Sequence, residues 1–457
     1  MTDEDALLRR RTRHRTGDGT PDAATQGTTH GDGPTLLTEP AGGTPAPVET
    51  AEGLAEVLAR FAAGTGPVAV DAERASGFRY SQRAYLVQIR RRGAGTALID
   101  PVPLGDLSAL DEVLADAEWV LHAASQDLPC LAELGLRPRR LFDTELAARL
   151  ADFERVGLAA LTEQLLGRTL EKHHSAADWS TRPLPQDWLT YAALDVELLV
   201  ELRDALEAEL ARQGKTAWAG QEFAALVANG ARPPKPRVDP WRRTSGMHRV
   251  RGARAQSRVR ALWYARDAIA TRRDTAPGRV LPDAAIVAAA EMNPKSEREL
   301  LLLPGFGGRS VRRLAATWLD ALEEARNLPD DALPTSPQFE GPPPPHRWAD
   351  KDPVAAARLA RCREVVTKTA EQHHLPPENL ITPDFVRRLA WEPPAADEAA
   401  VAAVLAGFGA RQWQCDLLAA ELAQALVEPE PTEPTELAEA ADDSGDTGDT
   451  GAEPAAG

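Results

Sequence analysis

Four carboxylates and one phenol in the first half of the chain have the types and spacing to work on a phosphodiester. Asp71 and Glu73 directly follow the apolar run Val68-Ala69-Val70. A spacing of two on a strand puts both side chains on one face. Two carboxylates side by side stay ionised cheaply only when a cation sits between them. Asp127 follows a second apolar run, Trp119-Val120-Leu121, and Asp195 lies four residues after Tyr191 on a predicted helix, so phenol and carboxylate share a face. Singly, each has a plain structural reading: a solvated strand end, a helix N-terminal acid facing the dipole, an amphipathic pair. Together they describe a chemistry. Phosphodiester hydrolysis needs charge neutralised on the attacking and leaving oxygens of an in-line displacement. Two hard cations about 3.5–4 Å apart do this and prefer carboxylate oxygens. A tyrosine hydroxyl one turn from the last acid can orient the attacking water or assist its deprotonation.

Four other residues invite the same reading and are set aside. Asp143 is acidic, but Asp127 has the better context. His173 and His174 are adjacent and cannot face one way on a regular element. His122, at a strand end, reads as a structural histidine.

The elements that must position these residues alternate. Strand signals lie at 67–70, 85–89, 97–99 and 119–121, and helical patterns at 106–116, 126–134, 144–150, 157–166 and 185–213. Three strands in quick succession, then helix–strand–helix, predict a mixed sheet with helices packed on it, an α/β domain.

The motifs together resemble a known family. Asp-x-Glu after a strand, Asp127 in His-Ala-Ala-Ser-Gln-Asp-Leu, and Tyr-x-x-x-Asp are similar to the DEDDy exonucleases. Asp178-Trp179-Ser180-Thr181-Arg182-Pro183-Leu184 and Phe142-Asp143-Thr144 resemble ribonuclease D in particular. The resemblance implies a ribonuclease H-like fold and two Mg²⁺ or Mn²⁺ ions held by Asp71, Glu73, Asp127 and Asp195. It also implies Tyr191 on the nucleophilic water and release of nucleoside 5′-monophosphates from RNA 3′ ends, with transfer RNA precursors the usual substrate. A DNA exonuclease is the alternative within the enzyme class, because discrimination rests on the 2′-hydroxyl and no residue is assignable to it. A non-catalytic RNA-binding adaptor is the alternative outside it.

Composition bounds the rest. The 457 residues suggest several domains, and the formal net charge of −17 counts against a polyanionic partner until its distribution is read. Between Arg232 and Arg273 stand thirteen Lys or Arg against two acids, a balance of +11, while residues 428–457 hold ten acids and no Lys or Arg. Local fields steer a polyanion. Arg242, Arg243, Arg249, Arg251, Arg254 and Arg258 in this segment are the candidate RNA contacts, with Arg309 after the Leu303-Pro304-Gly305-Phe306-Gly307 turn. That turn reads either as a phosphate-meeting turn of free backbone N–H groups or as a tight interhelical turn. A short oligonucleotide that reaches only the carboxylates should be cleaved without these arginines. The expected organisation is a disordered tail over 1–45, an exonuclease domain over 46–228 and a linker over 229–244. An HRDC-like helical domain at 245–328, a Pro-rich linker at 329–345, a second, diverged copy at 346–427 and an acidic tail complete it. The copies are suggested by Pro-Asp and Gly-Phe-Gly motifs recurring 101 and 102 residues apart. Three distant cysteines argue against disulfides or a zinc site. With no apolar run near about 18 residues and no signal-like h-region, a cytoplasmic protein without membrane contact is expected. No protein partner is inferable.

Overall fold

The structure, a computed structural model, describes residues 33–170, 177–232, 237–335 and 341–427. Most of the two expected tails, and His173 and His174, lie outside these residues. The strands among the described residues are β1 (Thr35–Leu37), β2 (Pro47–Val48), β3 (Thr65–Arg74), β4 (Ala84–Arg92), β5 (Gly95–Ile99), β6 (Glu118–Leu121), β7 (Arg140–Asp143) and β8 (Arg168–Leu170). Six of them form a mixed sheet in the order β2-β5-β4-β3-β6-β7, and β1 pairs with β8. Central β3 runs antiparallel to β4 and parallel to β6.

Alternation along β3 divides its side chains between two faces. Val68, Val70 and Ala72 join a core with Phe61, Leu110 and Leu131 from helices Ala51–Ala63, Ser108–Val113 and Leu128–Glu133. Ala69, two residues before Asp71, instead meets Val120, Val196 and Leu199. The helix Gln186–Glu197, which carries Tyr191 and Asp195, therefore covers the face on which Asp71 and Glu73 lie.

Four boundaries differ from expectation. The expected tail contains strand β1, which completes its hydrogen bonds on β8. The helix expected over 185–213 breaks at Leu198 (φ −111°), separating Gln186–Glu197 from Leu199–Arg212. Helix Thr216–Gly230 carries the exonuclease domain past residue 228. Trp241, in the expected linker, is fully buried in the core of the first helical module.

The two modules share one architecture. Helices Ala253–Arg273, Pro277–Val280 and Asp283–Met292 in the first correspond to Pro353–Gln372, Pro377–Leu380 and Pro383–Trp391 in the second, each starting 100 residues later. One side-chain bond recurs at the same offset: Arg258 Nε donates to the Ala290 carbonyl at 2.6 Å, and Arg358 Nη1 to that of Ala390 at 2.8 Å. The second module shares a continuous core with the exonuclease domain, joining Trp413 and Leu418 to Phe142, Leu206 and Phe223. Trp413 Nε1 donates to Glu222 at 3.0 Å across that seam.

Candidate active site

Asp71, Glu73 and Asp195 each bring a carboxylate oxygen within 4.8 Å of the other two. The strand period supplies the first pair and the covering helix the third. Burial raises the pKa of all three; repulsion adds to it for Glu73, which faces Asp71, Asp195 and Asp127, and for Asp195, which faces Asp71, whereas the Ala72 amide and Arg74 pull that of Asp71 back down. Tyr191 hydrogen-bonds to Asp195 through its hydroxyl, and burial followed by the negative charge of Asp195 raises the phenol's pKa. Its ring lies 6.4 Å from that of buried Trp179, in the Asp-Trp-Ser-Thr-Arg-Pro-Leu segment.

That segment is anchored by Arg182. Its Nε and Nη2 donate to the two oxygens of buried Asp100 at 2.6 and 2.8 Å. The remaining donors meet the carbonyls of Tyr85, Trp179 and Thr181, each at 2.8 Å. All five N–H groups of the guanidinium are thereby satisfied, which holds the start of the Tyr191 helix against β4 and β5.

Asp127 stands beside the trio rather than within it. It is 6% exposed and begins helix Leu128–Glu133, yet its side chain makes no capping bond. It faces Arg74 instead, with Nη2 3.6 Å from Oδ1. Burial and then Asp71 push its pKa up to about 8, against the pull of Arg74. The plain helix-cap reading of Asp127 does not describe this geometry.

Asp143 performs the backbone work. Its buried carboxylate accepts from the amides of Ala123, Ala124, Glu145 and Leu146 at 2.9–3.1 Å. Two of these bonds fix the turn at Ala123 (φ 60°) that leads into Asp127. His122 is structural as expected: Nδ1 meets Thr144 Oγ1 at 2.9 Å, and burial drives its pKa down to about 4. Cys130, Cys362 and Cys415 are free and buried.

Sequence reasoning missed two neighbours of the carboxylates. Gln88 is fully buried, and its Nε2 donates to Asp71 at 3.3 Å and Glu73 at 3.5 Å. Its Oε1 has no hydrogen-bond partner among the described residues. The signal was an amide inside the apolar run Tyr85–Ile89, where a buried polar group needs a reason. Arg74 lies next to Glu73, and a register irregularity between the two breaks the strict alternation of β3. A set of oxygen donors with crowded like charges, a neutral amide beneath and one guanidinium alongside suits hard divalent cations.

The seven nominated arginines divide. Arg242 donates to Asp239 and to the Thr335 carbonyl at 2.8 and 2.7 Å, and Arg249 reaches Glu291 at 3.4 Å. Arg254 bonds Asp330 and the Leu328 carbonyl, and Arg258 the Ala290 carbonyl. These four fasten the module and the segment after it; Arg254 and Arg258 do so on carbonyls at the C-terminal ends of helices Ala315–Asn327 and Asp283–Met292, which need donors. Arg243, Arg251 and Arg309 are exposed with no side-chain hydrogen bond or ion pair among the described residues, whereas Arg249 and Arg254 are exposed but paired. The glycine turn before Arg309 is a packing feature: Gly305 has φ +86°, and a Cβ there would lie 2.6 Å from that of Ala285. The helix that follows, Arg309–Arg312, is one turn long.

Comparison with known proteins agrees with this architecture. Residues 45–211 match the family described as 3′-5′ exonuclease, residues 255–322 the HRDC domain, and residues 341–426 the 3′ to 5′ exonuclease C-terminal domain. The second module thus matches a family of its own, while keeping the helix order of the first. Ribonuclease D of Acidiphilium cryptum is 31% identical over 76% of this chain and 87% of its own length, and that of Granulibacter bethesdensis 33% over 65% and 74%. A protein from Bifidobacterium adolescentis superposes with a TM-score of 0.79 at 39% identity, covering 86% of this chain and 99% of that one. Escherichia coli RNase D, described as an exoribonuclease involved in structured RNA processing, gives 0.61 at 26%, covering 83% and 98%. With an α/β exonuclease domain, an HRDC module and relatives matched over most of their length, the chain belongs to the ribonuclease D family of metal-dependent 3′→5′ exoribonucleases.

Proposed function

We propose that Asp71, Glu73, Asp127 and Asp195 hold two divalent cations, Mg²⁺ or Mn²⁺, and that Tyr191 orients the attacking water. The convergence of three carboxylates within 4.8 Å, with the Tyr191 hydroxyl on one of them, carries this reading. When bound, such ions neutralise charge on the attacking and leaving oxygens and favour ionisation of water. The chain's own part is positional. β3 and the Tyr191 helix bring the acids together, Gln88 tethers Asp71 and Glu73, and Asp143 sets the turn before Asp127. Because burial keeps the Tyr191 phenol protonated, it serves as a hydrogen-bonding guide for the water and not as its base. The water oxygen bonds to the terminal phosphorus as the P–O3′ bond breaks. A nucleoside 5′-monophosphate leaves, and the shortened RNA keeps a 3′-hydroxyl.

The substrates are structured RNA precursors in the cytoplasm, transfer RNA precursors among them. The description of the E. coli relative supports this class. Arg243, Arg251 and Arg309 contact the RNA backbone upstream of the 3′ end. Full-length protein is incubated with 3′- and 5′-labelled RNA and DNA, with and without Mn²⁺, beside Asp71→Asn. The expected result is mononucleotide from the 3′ label, dependent on the ion and absent in the variant. Equal turnover of DNA moves the reading to a DNA exonuclease, and binding without turnover to an adaptor.

A further inference from the structure

The loop between β3 and β4 starts immediately after Glu73 and Arg74 and is gripped from two sides. On one side, Arg79 Nε donates to Ser180 Oγ at 2.8 Å, tying the loop to the segment that leads into the Tyr191 helix. On the other stands the first helical module, nearly 200 residues away in sequence. Asp274 Oδ1 accepts the Ser81 amide at 2.8 Å, and the Tyr80 hydroxyl donates to Asp267 at 3.1 Å. The Ala276 amide donates to the Phe78 carbonyl at 2.9 Å, and Arg279 Nε to that of Gly77 at 2.8 Å. The Arg279 guanidinium lies 4.0 Å from the centroid of the Phe78 ring. With the Arg79 bond included, these contacts engage one polar group on each of the five consecutive residues from Gly77 to Ser81, which leaves the loop little freedom.

The held loop forms one wall of a cavity. About 320 Å³ in volume, it is lined by Ala72, Glu73, Arg74, Ser76, Gly77, Phe78 and Ala177. That volume lies in the range of small-ligand sites, and its one lining carboxylate, Glu73, belongs to the proposed metal site. Phe78 also packs on the cluster containing Trp179, Leu189 and Tyr191. Position and chemistry suit the nucleoside end of an RNA chain: an aromatic face, a guanidinium, and a carboxylate at the reacting end.

We propose that the first helical module is part of the active site. Asp274 and Arg279 act as positioning residues that hold Phe78 and its loop as the wall for the 3′-terminal nucleoside, an inference that rests on the carboxylate reading above. The module then acts on cleavage of substrates too short to touch its exposed arginines. This differs from the division of labour expected from sequence, in which a short oligonucleotide is indifferent to the module.

The test uses full-length Arg279→Ala, Asp274→Ala, Phe78→Ala and the double variant Phe78→Ala/Arg279→Ala on a ribotrinucleotide and on a long RNA. Misplacing a substrate wall costs up to about 100-fold in rate. Arg279→Ala should lower kcat/KM on the trinucleotide at least about 10-fold, within that range, with an unchanged salt slope for long-RNA binding. The double variant should be no worse than Phe78→Ala alone, since residues acting through one contact are non-additive. Arg279→Lys, which keeps charge but not the Nε donor, replaces Arg279→Ala if the latter does not fold. Trinucleotide cleavage within about 2-fold of wild type, with or without a lower melting temperature, overturns the proposal. Additive losses in the double variant overturn it too. Asp71→Asn run in parallel separates the two readings: an active Asp71→Asn refutes the carboxylate site, whereas the trinucleotide result for Arg279 bears on the module.

Discussion

Gln88 stands directly across the β3–β4 ladder from Asp71, and its amide donates to the Asp71 carboxylate at 3.3 Å. The same amide reaches Glu73. A neutral double donor is what two crowded acids require if they are to keep one geometry without a permanent counter-charge. Outer-shell partners of this kind change metal affinity about 10- to 100-fold when lost. Gln88→Leu, similar in volume and without donors, should weaken Mn²⁺ binding by that factor, measured calorimetrically. Most activity should return at saturating Mn²⁺. An unchanged affinity with a lower melting temperature would reduce Gln88 to a packing residue.

Tyr191 is separable from metal binding. Its hydroxyl bonds Asp195 but is not an acid ligand, so Tyr191→Phe should cost on the order of 10²- to 10⁴-fold in kcat. Mn²⁺ affinity should stay within about 2-fold, because the charge lost from the site is zero. Full activity in Tyr191→Phe would remove the phenol from the chemistry.

The metal-free cluster should make stability depend on pH with a definite sign. Asp127 keeps its proton to about pH 8, whereas an unfolded aspartate loses it near about 3.9. Between those values the folded state binds more protons, so stability falls as pH rises. His122, with its pKa pushed down to about 4, acts oppositely below about 6.5, where the unfolded state binds more protons. Comparing melting temperatures with and without Mn²⁺ cancels the His122 contribution. The ion must displace protons at pH 6 and far fewer at pH 8. The Mn²⁺-dependent rise in Tm should therefore be larger at pH 8, and equal rises at both values would contradict it.

Of the seven candidate arginines, the three without an intramolecular partner should carry the contacts to RNA. Replacing Arg243, Arg251 and Arg309 together with Ala should flatten the salt dependence of RNA binding, by up to about 0.7 in slope per lost contact on single strands. Arg254→Ala and Arg258→Ala should instead lower Tm and leave the slope nearly unchanged, since both donate to carbonyls within the module. A slope that responds equally to both sets would show that the intramodule bonds open on RNA.

The sequence alone determined whatever follows from short-range periodicity. The two-residue period placed Asp71 and Glu73 on one face, the four-residue spacing paired Tyr191 with Asp195, and the local patterns located helix Thr144–Leu150 and strands β3 to β6. Helix Ala51–Ala63 is legible too, from the Thr50 cap and the apolar Leu54, Val57, Leu58 and Phe61, although the helical patterns expected above do not include it. Tertiary structure decided the rest, because it depends on which distant segments pack together. Asp143 became an anchor for the Asp127 turn only when β7 paired with β6, and Gln88 a partner of Asp71 only through the β3–β4 register. A count of charges could not divide the arginines of the first module. That division is set by which carbonyls the folded helices leave open, and the grip of Asp274 and Arg279 on the loop after Glu73 depends on two domains meeting across nearly 200 residues of chain.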